Sequence, residues 1–186
     1  MKRFFLVTAL SIICSAAFAQ KFAHVNSQEC FQLMPEMDEV RSQMDAIVTE
    51  NQEVMKAMYE EYQSKVQTYQ QKAATWTAAI KESKEKEIME MENRIQETQA
   101  NMQQEIQAIQ NKLTAPVMQK LQDTLNKLAK EGGYIYVFDS SSALYIDPAQ
   151  SKDLTQDLRN ALGIKADRTL ETLAQELQAK QAASAQ

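Results

Sequence analysis

The fold is decided by residues 33–80, LMPEMDEVRSQMDAIVTENQEVMKAMYEEYQSKVQTYQQKAATWTAAI. Neither proline nor glycine occurs between Pro35 and Pro116, and the stretch is rich in Gln, Glu, Lys, Met and Ala, which favour helix. Thirteen of fourteen positions spaced by three or four residues are apolar or aromatic: 33, 37, 40, 44, 47, 51, 54, 58, 62, 66, 69, 73, 76 and 80. A narrow stripe with this spacing predicts a coiled-coil seam.

A second stripe with the same spacing follows further along the chain. Eleven of its twelve positions are apolar: 88, 91, 95, 98, 102, 106, 109, 113, 117, 121, 125 and 128. One continuous rod would separate the extended segments at its two ends, and a lone strand cannot satisfy its backbone hydrogen bonds. We therefore predict an antiparallel helical hairpin over residues 35–115. Its tip should lie at about residues 73–83, where threonines occur and the stripe changes phase.

Short segments on both sides of the helices have the character of strands. They combine β-branched and aromatic residues, and they are KFAHVN at 21–26, YIYVFD at 134–139 and ALYID at 143–147. Residues 20–34 supply the first strand, and residues 116–164 supply a helix, two strands and a short helix. The predicted fold is thus mostly helical α+β, a long hairpin on a small β-sheet body that oligomerises.

The second helical stretch contains one interruption and the chain ends in one weak segment. Pro116 predicts a bend or break near residues 113–117, either a bent axis or a new helix that Thr114 caps. Gly163 should stop the short helix of the body. Residues 165–186 form a C-terminal tail, a loose helix whose last residues are expected to be disordered.

The N-terminus has the three parts of a secretory signal peptide. Lys2 and Arg3 precede an apolar run from Phe4 to Phe18, and Ala17-Phe18-Ala19 supplies the small residues of a cleavage site. The run has about 15 residues whereas a membrane span needs about 20, which disfavours a transmembrane anchor. We expect residues 1–19 to be removed by cleavage after Ala19 and the chain to be exported.

Charge and cysteine content limit the partners and the means of stabilisation. Loss of Lys2 and Arg3 changes the net charge from −5 to −7, which argues against nucleic acid as a partner. Cys30 would then be the only cysteine, so an intrachain disulfide is impossible. We expect Cys30 to behave as a small buried hydrophobic residue. Packing or association with other chains must supply the stability.

Residues that could support catalysis have structural explanations. His24 is the only histidine and has no partners at the spacing of a metal site or a triad. Asp139 and the serines that follow it are typical of a turn, and Gly132-Gly133 is typical of a helix stop before a strand. We therefore predict no catalytic residue, no metal ligand, no cofactor and no enzymatic activity.

The first arm carries more apolar surface than one seam requires. Methionine and tyrosine suit a surface that accepts many sequences, because methionine is flexible and tyrosine combines an apolar ring with a hydroxyl. One interpretation is that these side chains only complete the seam. The other is that some of them bind another protein, here called the client, and that Trp76 at the tip touches a client or, transiently, a membrane. The candidate client-binding residues are Met55, Tyr59, Tyr62, Val66, Tyr69 and Trp76.

Two segments of the body carry a family resemblance. KFAHVNSQECFQLMPE at 21–36 and TAPVMQKLQDTLNKLAKEGGYIYVFDSSSALYIDPAQSKDLTQDLRNALGI at 114–164 resemble the Skp/OmpH family of periplasmic chaperones. The resemblance implies a periplasmic homotrimer that holds unfolded outer-membrane proteins in a cavity between its hairpins, without ATP. The trimer would be built on the strands, with interface residues Val25, Ile135, Val137, Leu144 and Ile146.

One property departs from the family, and one alternative function stays open. The best-known family members have basic arms, which suit anionic clients and lipopolysaccharide. In this chain, residues 36–115 have 9 basic and 15 acidic side chains. No lipopolysaccharide-binding residue is therefore assigned. The alternative is a structural coiled-coil protein that links envelope components without chaperone activity, which would leave the mixed body unexplained.

Overall fold

The structure is a computed structural model that describes residues 21–184 in two compact units. The first unit, here called the body, comprises residues 21–35 and 118–184. The second unit, the hairpin, comprises residues 36–117. The signal peptide predicted for residues 1–19 lies outside the described residues. Within residues 21–184 we find no helix with the length and apolarity that a membrane crossing demands.

The body contains a three-stranded parallel sheet. Its strands are β1 (Lys21–Val25), β2 (Tyr134–Asp139) and β3 (Ser151–Asp153), in the order β2-β1-β3. The first strand is therefore the central one, with Val25 opposite Asp139 and His24 opposite Asp153. Parallel neighbours require long connections, and the helices of the chain supply the one between β1 and β2. The predicted gathering of the strands from both ends of the helical stretch into one sheet is confirmed.

The prediction of a strand at residues 143–147 is wrong. The third strand lies further on, because Asp147 and Pro148 turn the chain: the Asp147 carboxylate accepts from the Ala149 N–H at 2.9 Å, and its carbonyl accepts from the Ser151 N–H at 3.0 Å. Asx turns of this kind are typical before a new element. The alternating ALYID segment thus has strand-like composition but no assigned strand in a single chain.

Three helices complete the body around a compact apolar core. They are α1 (Ser27–Leu33), α4 (Thr155–Ala161) and α5 (Leu170–Ser184), numbered with the two helices of the arms between α1 and α4. Asn26 caps α1 by accepting from the Glu29 N–H at 3.0 Å. The buried apolar residues are Ala23, Val25, Cys30, Leu33, Met34, Leu121, Leu154, Leu158, Leu162, Ile164 and Leu173. Cys30 is buried, as predicted.

The arms are two long helices that run antiparallel within the hairpin. Helix α2 spans Pro35–Lys72, a 3₁₀ turn spans Ala73–Thr75, and helix α3 spans Ala78–Gly132. Polar contacts between the arms pair rising numbers on α2 with falling numbers on α3: Glu61 with Arg94, Lys65 with Glu87 and Tyr69 with Glu85. The predicted antiparallel pairing is confirmed, and the turn lies inside the predicted range of 73–83.

The two predicted stripes are the covered faces of the arms. Every position of the second stripe is buried or half-buried, with Met91, Ile95, Val117 and Leu121 fully buried. In the first stripe only Val54 and Ile80 are exposed. A spacing of three and four residues keeps side chains on one side of a helix, and this is the physical basis for the agreement.

The predicted helix break at Pro116 is wrong. Helix α3 continues through Pro116, and Thr114 does not cap a new helix, because its hydroxyl donates to the Gln110 carbonyl at 2.8 Å within the same helix. A proline removes one helical hydrogen bond, and the burial of Val117 and Leu121 just beyond it favours continuation. A bent axis at this point stays a prediction.

Candidate functional site

The predicted client-binding residues differ in how far the hairpin already covers them. Met55, Tyr62, Val66, Tyr69 and Trp76 are half-buried in the single chain. Tyr59 is different, since 45% of its surface is exposed. Of the six residues, Tyr59 therefore offers the largest fraction of its surface to another molecule.

Tyr69 and Trp76 hold the reversal of the hairpin. Their rings meet edge to face with centroids 5.9 Å apart, and the Tyr69 hydroxyl donates to the Glu85 carboxylate across the turn. This hydrogen bond raises the pKa of Tyr69. Trp76 lies at the tip, and its contact with Tyr69 contributes to its partial burial.

Large apolar side chains remain exposed on both arms within residues 36–117. They are Val48, Val54, Tyr59, Ile80 and Met89. Val48 and Met89 were not among the predicted residues, although each directly follows a seam residue, Ile47 and Ile88. Scattered exposed apolar residues are common on proteins, so the feature that matters is their recurrence along one hairpin.

Ion pairs connect the two arms close to the turn of the hairpin, and the segment that forms the turn has no acidic residue. The Glu87 carboxylate lies 2.6 Å from the Lys84 ammonium and 3.6 Å from that of Lys65. The Lys84 hydrogen bond is the main reason that the pKa of Glu87 lies below its usual value. Residues 62–81 contain no Asp or Glu, although residues 36–115 as a whole are acidic. The turn is thus locally basic in an acidic hairpin.

A second exposed apolar surface lies on the body. β2 is an edge strand, and it exposes Ile135 on one face and Tyr136 and Phe138 on the other. In the segment after it, Leu144 is fully exposed and Tyr145 almost so. Exposed aromatic side chains on an unpaired strand edge favour association with another chain.

The predicted interface residues are only partly available at this surface. Ile135 and Leu144 are exposed, and Val137 and Ile146 are half-buried. Val25 is buried within its own chain, and its place in or beside an interface stays a prediction. The sequence did not single out Tyr136, Phe138 or Tyr145, because their exposure depends on how the rest of the body packs against β2 and the segment after it.

A groove of about 530 Å³ lies between the sheet and the segment after β2. Its apolar lining includes Phe22, Phe138, Tyr145 and Ile146, with Asp139 and Asp147 also at its wall. The Phe22 ring stacks on that of Tyr136 at a centroid distance of 6.3 Å, so the aromatic surface of β2 continues into β1. The groove and the exposed edge form one apolar region of the body.

The polar residues near the groove have structural roles. Nδ1 of His24 lies 2.9 Å from the Ser151 Oγ, and its Nε2 lies 3.9 Å from the Asp153 carboxylate. Asp139 accepts from the Ser141 N–H at 2.8 Å and from the Ser27 hydroxyl. Burial acts to raise the pKa of Asp139, but these hydrogen bonds outweigh it and hold that pKa below its usual value. Within residues 21–184, no His, Cys, Asp and Glu side chains cluster in a way that could hold a metal ion.

The structure combines a small body, built on a parallel sheet, with a long antiparallel helical hairpin. This combination defines the fold class of the protein. A family model described as "Outer membrane protein (OmpH-like)" matches residues 21–162. The chain belongs to this OmpH-like family. The resemblance noted in the sequence is thereby confirmed.

Two relatives and one solved structure agree with this assignment. The chain is 26% identical over 161 residues to "Chaperone protein Skp" of Yersinia enterocolitica, covering 85% of this chain and 97% of that protein. It is 24% identical over 162 residues to the protein of the same name from Pectobacterium atrosepticum, with the same coverage. An OmpH-like outer membrane chaperone structure from Caulobacter crescentus CB15 shares the fold, with a TM-score of 0.68 at 15% identity, over 81% of this chain and 90% of that one.

Proposed function

We propose that this protein is an ATP-independent holdase chaperone that binds unfolded outer-membrane proteins and prevents their aggregation. The observation that carries the proposal is the hairpin, whose arms keep Val48, Val54, Tyr59, Ile80 and Met89 exposed along their length. Unfolded chains present apolar segments of many sequences, and flexible or amphipathic side chains can contact them without a fixed fit. The activity is binding, with no reaction catalysed.

The site of action would be the periplasm. Support comes from the signal-peptide pattern of residues 1–19 and from the chaperone names of the relatives. A holdase at this location would meet clients after their export and before their insertion. Cleavage after Ala19 is checked by mass measurement of the protein recovered from the periplasmic fraction.

The holdase would work as a homotrimer. The exposed edge of β2, with Ile135, Tyr136 and Phe138, and the exposed Leu144 and Tyr145 supply apolar surface that a second copy would cover. Sedimentation of the parent should give a stable trimer, and Tyr136→Ser combined with Phe138→Ser should shift it to smaller species. Exposed Gln28→Ser on α1 is the control. A parent that is a folded monomer at micromolar concentration would refute the assembly.

The function itself is tested by aggregation. An outer-membrane barrel unfolded in urea is diluted into buffer with or without the mature protein, and light scattering is followed. The proposal expects suppression near one assembled protein per client. A mature protein that is folded and assembled, yet leaves scattering unchanged, would select the alternative of a structural coiled-coil protein.

We propose in addition that the hairpin turn makes transient contact with an anionic membrane surface. Residues 62–81 lack acidic side chains and carry Lys72 and Lys81 together with Trp76, whereas Lys65 is ion-paired with Glu61 and Glu87. Lysines attract anionic headgroups, and tryptophan suits the membrane interface. Trp76 is the only tryptophan, so its fluorescence should shift to the blue with phosphatidylglycerol vesicles and not with phosphatidylcholine vesicles. An unchanged spectrum with both would exclude the contact.

A further inference from the structure

The chain continues beyond the family match in a segment with its own start and stop signals. The match ends at residue 162, and Gly163 follows in the left-handed region with φ +74°. The Ile164 N–H donates to the Arg159 carbonyl at 2.9 Å, which closes α4, and Ile164 is buried. Thr169 and Thr172 then exchange N–H to hydroxyl hydrogen bonds of 2.9 and 3.1 Å at the start of α5.

In helix α5, Leu173 is buried and Thr172 and Leu177 are half-buried, while the other described side chains are exposed. The helix packs near α1, and Leu173 is only 6% exposed, whereas Leu170, one turn earlier, is 44% exposed. Nη1 of Arg168 donates to both carboxylate oxygens of Glu176, at 2.9 and 3.1 Å, which connects the link to the helix. A free helix of 15 residues is marginal in water, so the order of α5 depends on this attachment.

Arg159 joins three parts of the body through one side chain. It is 6% exposed, and its Nη1 donates to the Glu29 carboxylate of α1 at 2.8 Å. Its Nη2 donates to the backbone carbonyls of Arg168 at 2.5 Å and Lys165 at 3.4 Å, both in the link before α5. A buried guanidinium needs all its partners, because an unpaired buried charge is strongly unfavourable. Arg159 therefore couples α1 to the link that carries α5.

We propose that residues 163–184 form a strap that opens from the body as one unit, with Arg159 as its clasp. Proteins open locally where few buried apolar contacts hold a segment, and the strap is held mainly by Ile164, Leu173 and the bonds of Arg159. Opening moves α5 away from α1, the helix that carries Cys30 and Glu29. Burial, followed by the charge of Glu29, raises the pKa of the Cys30 thiol to about 11. The strap thus controls access to an apolar part of the body.

Proteolysis measures the opening directly. Trypsin can cut after Lys165 and Arg168 only when the link leaves the body, and mass spectrometry identifies the cuts. We expect Leu173→Ala to raise the initial cleavage rate at these two sites at least about tenfold. The matched control, Leu170→Ala, removes the same atoms from an exposed position and should leave the rate within about twofold. Arg159→Gln should act like Leu173→Ala, and Arg159→Lys should restore only part of the protection because it lacks the fork of donors.

Thiol labelling measures what the opening uncovers. In the chain that begins at Gln20, Cys30 is the only thiol, and its labelling by a maleimide should accelerate in the same variants and in the same order as cleavage. Labelling in the parent should be insensitive to low urea, as local opening exposes little surface. The proposal is overturned if Leu173→Ala and Leu170→Ala are cleaved equally, or if sites elsewhere in the body, such as Lys130, are cut at the same accelerated rate. It is likewise overturned if the labelling rate of Cys30 depends on urea concentration as steeply as global unfolding does.

Discussion

Replacing Tyr59 by serine tests whether apolar contact on the arms governs client binding. A tyrosine buries roughly 200 Å² when fully covered, and Tyr59 is 45% exposed in the hairpin. A client that covered the exposed part would remove about 90 Å² from water, worth about 2 kcal/mol at roughly 25 cal/mol per Å². This free energy corresponds to about 30-fold in Kd, and it is an upper limit because association also restricts the motion of the client. We expect Tyr59→Ser to weaken client binding by about 3- to 10-fold in Kd.

The assay is the fluorescence of a labelled unfolded barrel titrated with the mature protein at low and moderate salt. Gln67→Ser places the same residue at another exposed position of α2 and should bind like the parent. The arms are net acidic, so salt should leave the Kd unchanged or lower it, since ionic terms are screened within about 10 Å at 0.1 M. The reasoning is refuted if Tyr59→Ser binds as tightly as the parent while replacement of Lys81, Lys84 and Lys86 by glutamine weakens binding, or if salt abolishes it. Tyr69 is left in place because it holds the turn.

Three further predictions concern stability. Leu158→Ala should lower the free energy of unfolding in urea by about 2–5 kcal/mol, because Leu158 is fully buried, whereas the exposed Met89→Ala should change it by less than about 0.5 kcal/mol; equal losses would contradict the core described for the body. Asp139 has a lowered pKa in the folded state, so its stabilising contribution is present above its unfolded pKa of about 3.9 and is lost as the pH falls through the folded value. Acid denaturation monitored by circular dichroism should therefore be less steep below about pH 4 in Asp139→Asn, and an unchanged profile would show that other carboxylates dominate. Pro116→Ala should stabilise α3 by up to about 3 kcal/mol in urea unfolding, because it restores a missing donor, and a loss of stability would show that the proline shape is required there.

The arms were predictable from sequence because their burial follows from local spacing. Each residue of a long helix has its side defined by its position along the chain, so the stripe through Met91 and Ile95 identified buried positions before any contact was known. The same local logic left both a bend and a break open at Pro116, and the break was wrong. The effect of a proline depends on what the following residues pack against, and that is a tertiary property.

The sequence predicted an apolar surface on the arms better than it predicted which residues are exposed there. Exposure of Tyr59 and coverage of Tyr69 depend on how the two arms face one another, which the composition of one arm does not specify. On the body, the composition of ALYID favours a strand, but pairing needs a neighbour, and the turn at Asp147 decided the outcome. Burial of Val25 followed from the central place of β1 in the sheet, a fact of topology rather than of sequence pattern.

The central place of β1 has a consequence for the order in which the protein can fold. Synthesis proceeds from the N-terminus, so β1 emerges first, yet both of its neighbours are among the later parts of the chain. The long helices contain mostly local contacts and can form as soon as they appear, whereas the sheet must wait for residues 134–153. Until then the apolar side chains of β1 and α1 have no permanent cover. A ribosome-stalled or truncated chain that ends before Tyr134 should therefore be helical, sheet-free and prone to aggregate.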